Sequence, residues 1–238
     1  MSKREAQSRF LFNSWPPTPR CAPSAVLSWR ATAVATGAPT PAAPAAARRT
    51  GILARLRGER SLGRQFFRQN RGHFWGIVET RPYMRARFDL ACALMQDALL
   101  TEAIAHFESL IELNPNDNQG VRDILMSCYL SIQDLEGTRR LLERYAGDSG
   151  AVFAWSRVLE RYLATDLDGA LAALQDARAD NPHVQAYLTG AKRLPKDSPS
   201  YYTPGEETEA FYCAGCLRKA WLKYPQAVSW LRAAVSGP

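Results

Sequence analysis

Apolar positions in the middle of the chain recur with helical spacing, and one arrangement returns three times. A small residue is followed four positions later by a large apolar one, as Ala103 and Phe107, Gly137 and Leu141, and Ala170 and Leu174. The small residues are 34 and then 33 positions apart, the length of one helical hairpin. No stretch shows the alternation typical of a strand. The pattern therefore predicts an all-α chain with about three repeated helix-turn-helix units.

A period near 34, with a small residue where two helices touch and proline at the unit boundary, is the tetratricopeptide signature. The first and third units close on Asn114-Pro115 and Asn181-Pro182. We therefore expect an α-solenoid with a C-terminal helical cap. The predicted organisation is a disordered basic Ala/Pro-rich tail (1–50), an N-terminal docking helix and Gly/aromatic turn (51–77), tetratricopeptide repeats (78–182), and a loop with the helical cap (183–238).

Charge is unevenly divided along the chain. Residues 1–77 hold 13 Lys/Arg against 2 Asp/Glu, whereas residues 78–238 hold 17 against 21. Prolines interrupt any helix in the first 50 residues, so we expect a disordered segment there, either a solvated tail or an organellar transit peptide. The basic stretch 48–71, with its interleaved phenylalanines, suits nucleic acid, or it docks its apolar side chains and leaves the arginines in water.

Cysteine usage and hydropathy bear on the compartment. The five cysteines are scattered, without the spacing of a disulfide framework, which favours a reducing compartment. No run of about 18 strongly apolar residues occurs, so no transmembrane helix is predicted. We expect a cytoplasmic protein, or an organellar one if residues 1–50 are a transit peptide.

Several stretches resemble a known family. Residues 72–87 (GHFWGIVETRPYMRAR) and 113–120 (LNPNDNQG) are similar to signature stretches of a group of mostly bacterial tetratricopeptide (TPR) proteins. The match continues at 181–184 (NPHV) and 205–207 (GEE), and it covers about residues 58–235. The chain also resembles the C-terminal part of the suppressor of tumorigenicity 7 proteins. The resemblance implies a TPR scaffold and supplies no catalytic residue.

The repeat register also predicts a binding surface. In this fold the first helix of each unit lines a concave groove. The residues predicted to contact a partner there are Arg85, Phe88, Gln119, Arg122, Met126, Tyr129, Trp155 and Tyr162. Arg85 and Arg122 would form a cationic end that suits a carboxylate, and the aromatic residues would hold an apolar anchor. Alternatively, the apolar residues are core beneath the cap helices, and the arginines are simply solvated.

Cysteine and histidine give no metal signature. Cys213 and Cys216 form one C-x-x-C inside a predicted helix, without the further ligands that zinc needs, and helix packing explains them better. His73, His106 and His183 share no ligand spacing. We expect neither a metal nor another cofactor.

The densest polar cluster comprises Glu79, Arg81, Tyr83 and Arg85, at the start of the first repeat. No nucleophile or Gly-rich phosphate loop accompanies it, so we expect it to fix how the N-terminal segment docks. The sequence as a whole predicts a non-catalytic scaffold that binds a protein or peptide partner in the concave groove. The alternatives are nucleic-acid association through the basic N-terminal third, and an enzyme that uses Glu79 and Arg81.

Overall fold

The computed structural model describes residues 42–195 and 201–234. All regular secondary structure in these residues is helical, which confirms the predicted all-α class. The helices in this part of the chain are α1 (Ala42–Asn70), α2 (Arg81–Gln96), α3 (Leu100–Leu113), α4 (Val121–Ser131), α5 (Leu135–Arg144), α6 (Ala151–Leu163), α7 (Leu167–Asp180), α8 (Val184–Leu188), α9 (Glu207–Leu222) and α10 (Pro225–Ala233). Two 3-10 turns, Phe74–Gly76 and Val78–Thr80, lie between α1 and α2.

The described residues form two compact units that divide between Cys128 and Tyr129, inside α4. We call residues 42–128 the N-terminal unit and the described residues from 129 onward the C-terminal unit. The division falls within the predicted repeat region and not at its expected limits. Most of the predicted tail, residues 1–41, lies outside the described residues.

The first helix begins earlier than the sequence predicts. A disordered tail is expected up to residue 50, whereas α1 begins at Ala42. Pro44 is tolerated because it lies in the first turn, where a backbone N–H has no acceptor within the helix. Arg48 forms an ion pair with Asp97 at 3.1 Å, which ties this early part of α1 to the end of α2. At Gly63 the backbone leaves helical geometry (φ 76°), so α1 is kinked.

Two glycines allow α1 to lie close against α2. A Cβ atom at Gly51 would be 3.0 Å from the Cβ of Leu90, and one at Gly58 would be 2.8 Å from the ring of Tyr83. The glycines and the residues opposite them are both one heptad apart and run in opposite order, so the two helices are antiparallel. This close backbone approach explains how a helix with little apolar character packs on α2.

Three connections between helices share one geometry. The links from α2 to α3, α4 to α5 and α6 to α7 are each three residues long. The middle residue of each link has a left-handed backbone: Ala98 (φ 62°), Gln133 (φ 59°) and Thr165 (φ 63°). A residue other than glycine at positive φ is uncommon. Its recurrence at one position in three successive links therefore shows that the local structure repeats.

The repeated links correct the predicted register of the second unit. The buried small residue five positions after the left-handed residue is Ala103 in the first unit and Ala170 in the third, but Thr138 in the second. Gly137 corresponds instead to Gly169. Each of these glycines donates its N–H to the aspartate that caps its helix, at 2.8 and 2.9 Å. The sequence pattern thus sets the second unit one residue out of register, although Gly137 also contacts the ring of Tyr129 on α4.

Beyond α7, most of the chain follows the prediction. The last helical pair is expected at 206–223 and 225–235, and α9 and α10 lie within two residues of those limits. All the side chains predicted to face inward are buried, namely Ala210, Leu217, Trp221, Val228 and Leu231. The short helix α8 is not foreseen, because five residues between a proline and a glycine are too few to show a period.

A buried carboxylate organises the start of α9. Glu209 accepts hydrogen bonds from the N–H of Ala151 at 3.1 Å, the side-chain amide of Asn181 at 3.0 Å and the N–H of Gly205 at 2.8 Å. It thereby joins α9 to the first residue of α6 and to the end of α7. Glu209 thus fixes the position of the last helical pair within the C-terminal unit.

Candidate functional site

The polar residues predicted to line the groove lie in the N-terminal unit and differ in their exposure to solvent. Arg85 is exposed on α2 and forms no ion pair within the described residues. Arg122 keeps 17% of its side chain exposed, and its Nη1 lies 3.4 Å from Oδ2 of Asp117. Gln119 is buried, with its Nε2 at 3.5 Å from the carbonyl oxygen of Met84. Arg85 is therefore the most accessible of these predicted polar residues.

The carboxyl group of Asp117 is committed to the start of α4. Its two oxygens accept hydrogen bonds from the N–H groups of Val121 at 2.8 Å and Arg122 at 3.0 Å. Burial raises the pKa of Asp117 to about 7, although the Arg122 guanidinium and these hydrogen bonds act in the opposite direction. Because Arg122 serves this cap, it is less available to a partner than the sequence suggests.

The apolar residues predicted to line the groove are core residues. Phe88, Met126, Tyr129 and Trp155 are all buried. The ring of Phe88 lies 6.1 Å from that of Phe107, edge to face, inside the α2–α3 hairpin. The ring of Tyr129 occupies the space where a Cβ atom at Gly137 would stand, 2.7 Å away. These four side chains hold helices together and present no surface to a partner.

In the C-terminal unit the predicted groove positions are covered by the chain itself. Helix α9 packs against α6, and Trp155 and Leu159 of α6 are fully buried. Tyr162, at the end of α6, remains partly exposed, and its ring lies 5.1 Å from that of Trp230 in α10. The alternative in which the cap helices cover the apolar residues therefore describes this unit.

The cysteines and histidines considered as candidate ligands or catalytic groups are buried in a helix, part of a turn, or exposed. Cys213 and Cys216 are buried within α9. His183 holds the turn after α7 through its backbone N–H, which donates to Oδ1 of Asn181 at 3.1 Å. His73 is exposed before the first 3-10 turn. Across residues 42–195 and 201–234, no group of three His, Cys, Asp or Glu side chains could hold a metal ion.

The polar cluster predicted at the start of the first repeat divides into two parts. Arg81 donates from Nε to the carbonyl oxygen of Trp75 at 3.0 Å, and its guanidinium lies 5.3 Å from the centre of that indole. It therefore fixes the 3-10 turn, as expected for a docking residue, while Glu79 is exposed. Tyr83 instead bonds to Arg87, whose Nη1 donates to the tyrosine hydroxyl at 2.5 Å.

Tyr83 and Arg87 belong to a second cluster, which the sequence pattern does not predict. Its other members are Arg55 and Glu59 on α1 and His106 on α3. The spacing of Arg55 and Glu59, one helical turn apart, is a visible signal for an ion pair. Nothing in the sequence shows that α1 brings this pair to α2 and α3, because that depends on how the helices pack.

No protein-family model, curated protein or solved structure matches this chain. The TPR resemblance accordingly rests on the sequence motifs alone. Among the helices of the described residues, none combines the length and the apolar character that crossing a bilayer requires.

Proposed function

We propose that this chain is a non-catalytic scaffold of tetratricopeptide type that binds a protein or peptide partner. The observation that carries the proposal is the shared link geometry at Ala98, Gln133 and Thr165. Each link has the same length and the same left-handed middle residue, and a small buried side chain follows that residue five positions later. Helical hairpins repeated in this manner stack into solenoids, whose extended surfaces are used to bind other chains.

We place Arg85 at the contact with the partner. It lies on the first helix of the first hairpin, it is exposed, and no ion pair within the described residues occupies it. Its planar guanidinium can hold a carboxylate through two parallel hydrogen bonds. An acidic side chain or a chain terminus of the partner fits this residue. Tyr162, in the C-terminal unit, offers a partly exposed aromatic ring of the kind found at interfaces.

The test is affinity capture from a native lysate with the full chain and two charge-reversal variants. Arg85→Glu should lose a partner that the unchanged chain retains, because the new carboxylate repels an acidic group. Arg64→Glu is the matched control, since Arg64 is an exposed arginine on α1. Chemical cross-linking should join the captured partner to residues of α2. A partner held equally by both variants contradicts the placement at Arg85, and capture that nuclease abolishes contradicts the scaffold.

A second function, association with nucleic acid, is favoured by one observation on α1. Arg57, Arg60, Arg64 and Arg68 are all exposed, and none forms an ion pair in the part of the chain that the structure describes. Exposed cations in series attract phosphates and release counterions on binding. Binding should then weaken log-linearly with salt, and each Arg→Gln change at a phosphate contact should reduce the slope by about one. Binding that is insensitive to salt rejects this function.

A further inference from the structure

Helices α1 and α2 of the N-terminal unit bring two guanidinium groups to one carboxylate. Arg55 and Glu59 lie one turn apart on α1, and Nη1 of Arg55 is 2.7 Å from Oε1 of Glu59. Arg87 approaches the same oxygen from α2, with its Nη1 at 3.9 Å. His106 on α3 is near enough for the charges of Arg87, Arg55 and Glu59 to act on its pKa. Its sequence neighbour Phe107 contacts Phe88, which follows Arg87, with ring centroids 6.1 Å apart. We call Arg55, Glu59, Arg87 and His106 the arginine cluster.

The charges of the arginine cluster do not balance. Arg55 and Arg87 each carry a positive charge. Glu59 is the carboxylate whose negative charge acts on the pKa values of the neighbouring Tyr83 and His106. Burial, followed by the charges of Arg87 and Arg55, lowers the pKa of His106 to about 4. The imidazole is therefore neutral at pH 7, and one guanidinium charge remains without a counterion.

The hydrogen bonds of the cluster are also incomplete. Nε of Arg55, Nε of Arg87 and Nδ1 of His106 are buried and have no hydrogen-bond partner in the described part of the chain. Buried polar groups in native proteins are usually hydrogen-bonded, and the two arginines that share one carboxylate oxygen therefore retain donor capacity for a further acceptor. The arginine side chains remain 24% and 15% exposed, so parts of both side chains other than Nε are accessible to a solute.

Arg87 is held in place before any ligand arrives. The hydroxyl of Tyr83 accepts a hydrogen bond from its Nη1 at 2.5 Å, and Tyr83 is itself buried. The tyrosine ring packs on the rings of Phe67 and Phe74, with centroid distances of 5.2 and 6.2 Å. Gly58 lets α1 close on the same ring. A site fixed in this way loses little conformational entropy on binding.

We propose that the arginine cluster binds an oxyanion, the carboxylate or phosphate group of a ligand, between Arg55, Arg87 and His106. The oxyanion supplies the negative charge that the second guanidinium lacks and acceptors for the accessible N–H groups of the two arginines. Guanidinium groups suit both carboxylate and phosphate because their planar N–H forks match two oxygens at once. Glu59 competes with the ligand for the same two arginines and so limits its affinity.

The test titrates the purified full-length chain with inorganic phosphate in one arm and acetate in the other. The readout is the NMR signal of the His106 ring, assigned by comparison with His106→Gln. Bound anion should shift this signal saturably and raise the pKa of His106 from about 4, while the signal of exposed His73 stays unchanged. A response to phosphate alone assigns a phosphate site, and a response to acetate assigns a carboxylate site. No saturable shift in either arm overturns the proposal.

Variants distinguish a binding role from a structural one. Arg87→Gln should weaken phosphate binding by about tenfold or more, because it removes a charged hydrogen-bond donor. Arg157→Gln, at an exposed position of α6, is the matched control and should leave the affinity unchanged. Glu59→Gln should tighten binding several-fold, since it removes the competing carboxylate. If Arg87→Gln does not fold, the sign for Glu59→Gln still decides: unchanged or weaker binding overturns the proposal.

Discussion

Replacing Thr165 with glycine should stabilise the fold. Thr165 has a φ of 63° in the link between α6 and α7, and a left-handed backbone costs an L-residue about 1–2 kcal/mol. A β-branched residue lies at the upper end of that range. Glycine removes this cost but loses about 0.5–1 kcal/mol, because it is more flexible in the unfolded chain. It also loses the exposed hydrogen bond from the threonine hydroxyl to the carbonyl of Ala164, at 2.6 Å. The expected net gain is about 0.5 kcal/mol.

The neighbouring residue provides the control. Ala164 has a φ of −77°, so Ala164→Gly relieves no strain and should destabilise the protein by about 0.5–1 kcal/mol. Urea unfolding followed by circular dichroism measures both changes on one scale. Ala98→Gly and Gln133→Gly should agree in sign with Thr165→Gly, since they occupy the same position in the other two links. If Thr165→Gly destabilises as much as Ala164→Gly does, the repeated left-handed link is refuted.

Three further predictions concern packing, a buried carboxylate and pH. Gly58→Ala should destabilise the protein by about 1–2 kcal/mol in urea unfolding. The new Cβ atom would lie 2.8 Å from the ring of Tyr83, and this overpacking outweighs the gain in helix propensity. The control, Ser61→Ala at an exposed position of α1, should not destabilise the protein. Glu209→Ala should lower the free energy of unfolding by about 3 kcal/mol or more, because three hydrogen-bond donors lose their acceptor. A loss below about 1 kcal/mol in the same assay would contradict that account. The pKa of His106 is lowered to about 4 in the folded chain, so the unfolded chain binds the proton first and stability is lost as pH falls from about 6.5 toward 4. Since the ring is half exposed, we expect about 1 kcal/mol from this source, and His106→Gln should flatten the pH dependence of the urea midpoint over that window.

Helices with a strong apolar period can be located from the sequence. The predicted limits of α9 and α10 fall within two residues of the observed ones, because their apolar residues recur every three to four positions over several turns. Register within a repeat is harder to predict. Gly137 and Thr138 are adjacent and both small enough for a helix contact, and only the backbone at Gln133 shows which of them takes that position.

The sequence does not show which residues of the predicted binding surface are buried in the folded chain. Periodicity shows that Trp155 and Met126 share a face with other large residues, but it does not show what lies over that face. In the C-terminal unit α9 covers α6, through a contact between residues far apart in sequence. The same limit applies to Arg55 and His106, since α1 and α3 are separated in sequence by α2 and only packing brings these two side chains near each other.

Glu209 and the arginine cluster differ in whether the fold itself satisfies their charges and hydrogen bonds. Glu209 receives three hydrogen bonds from three segments of the C-terminal unit, so the fold alone accounts for its charge. In the N-terminal unit, Arg55, Arg87 and His106 leave three buried nitrogen atoms without an acceptor. Folding selects for complete hydrogen bonding, because an unsatisfied buried group costs stability. Since Tyr83 holds Arg87 at this place instead of leaving it in solvent, the proposed oxyanion would complete a group of two arginines and one glutamate that the fold leaves with an excess of positive charge.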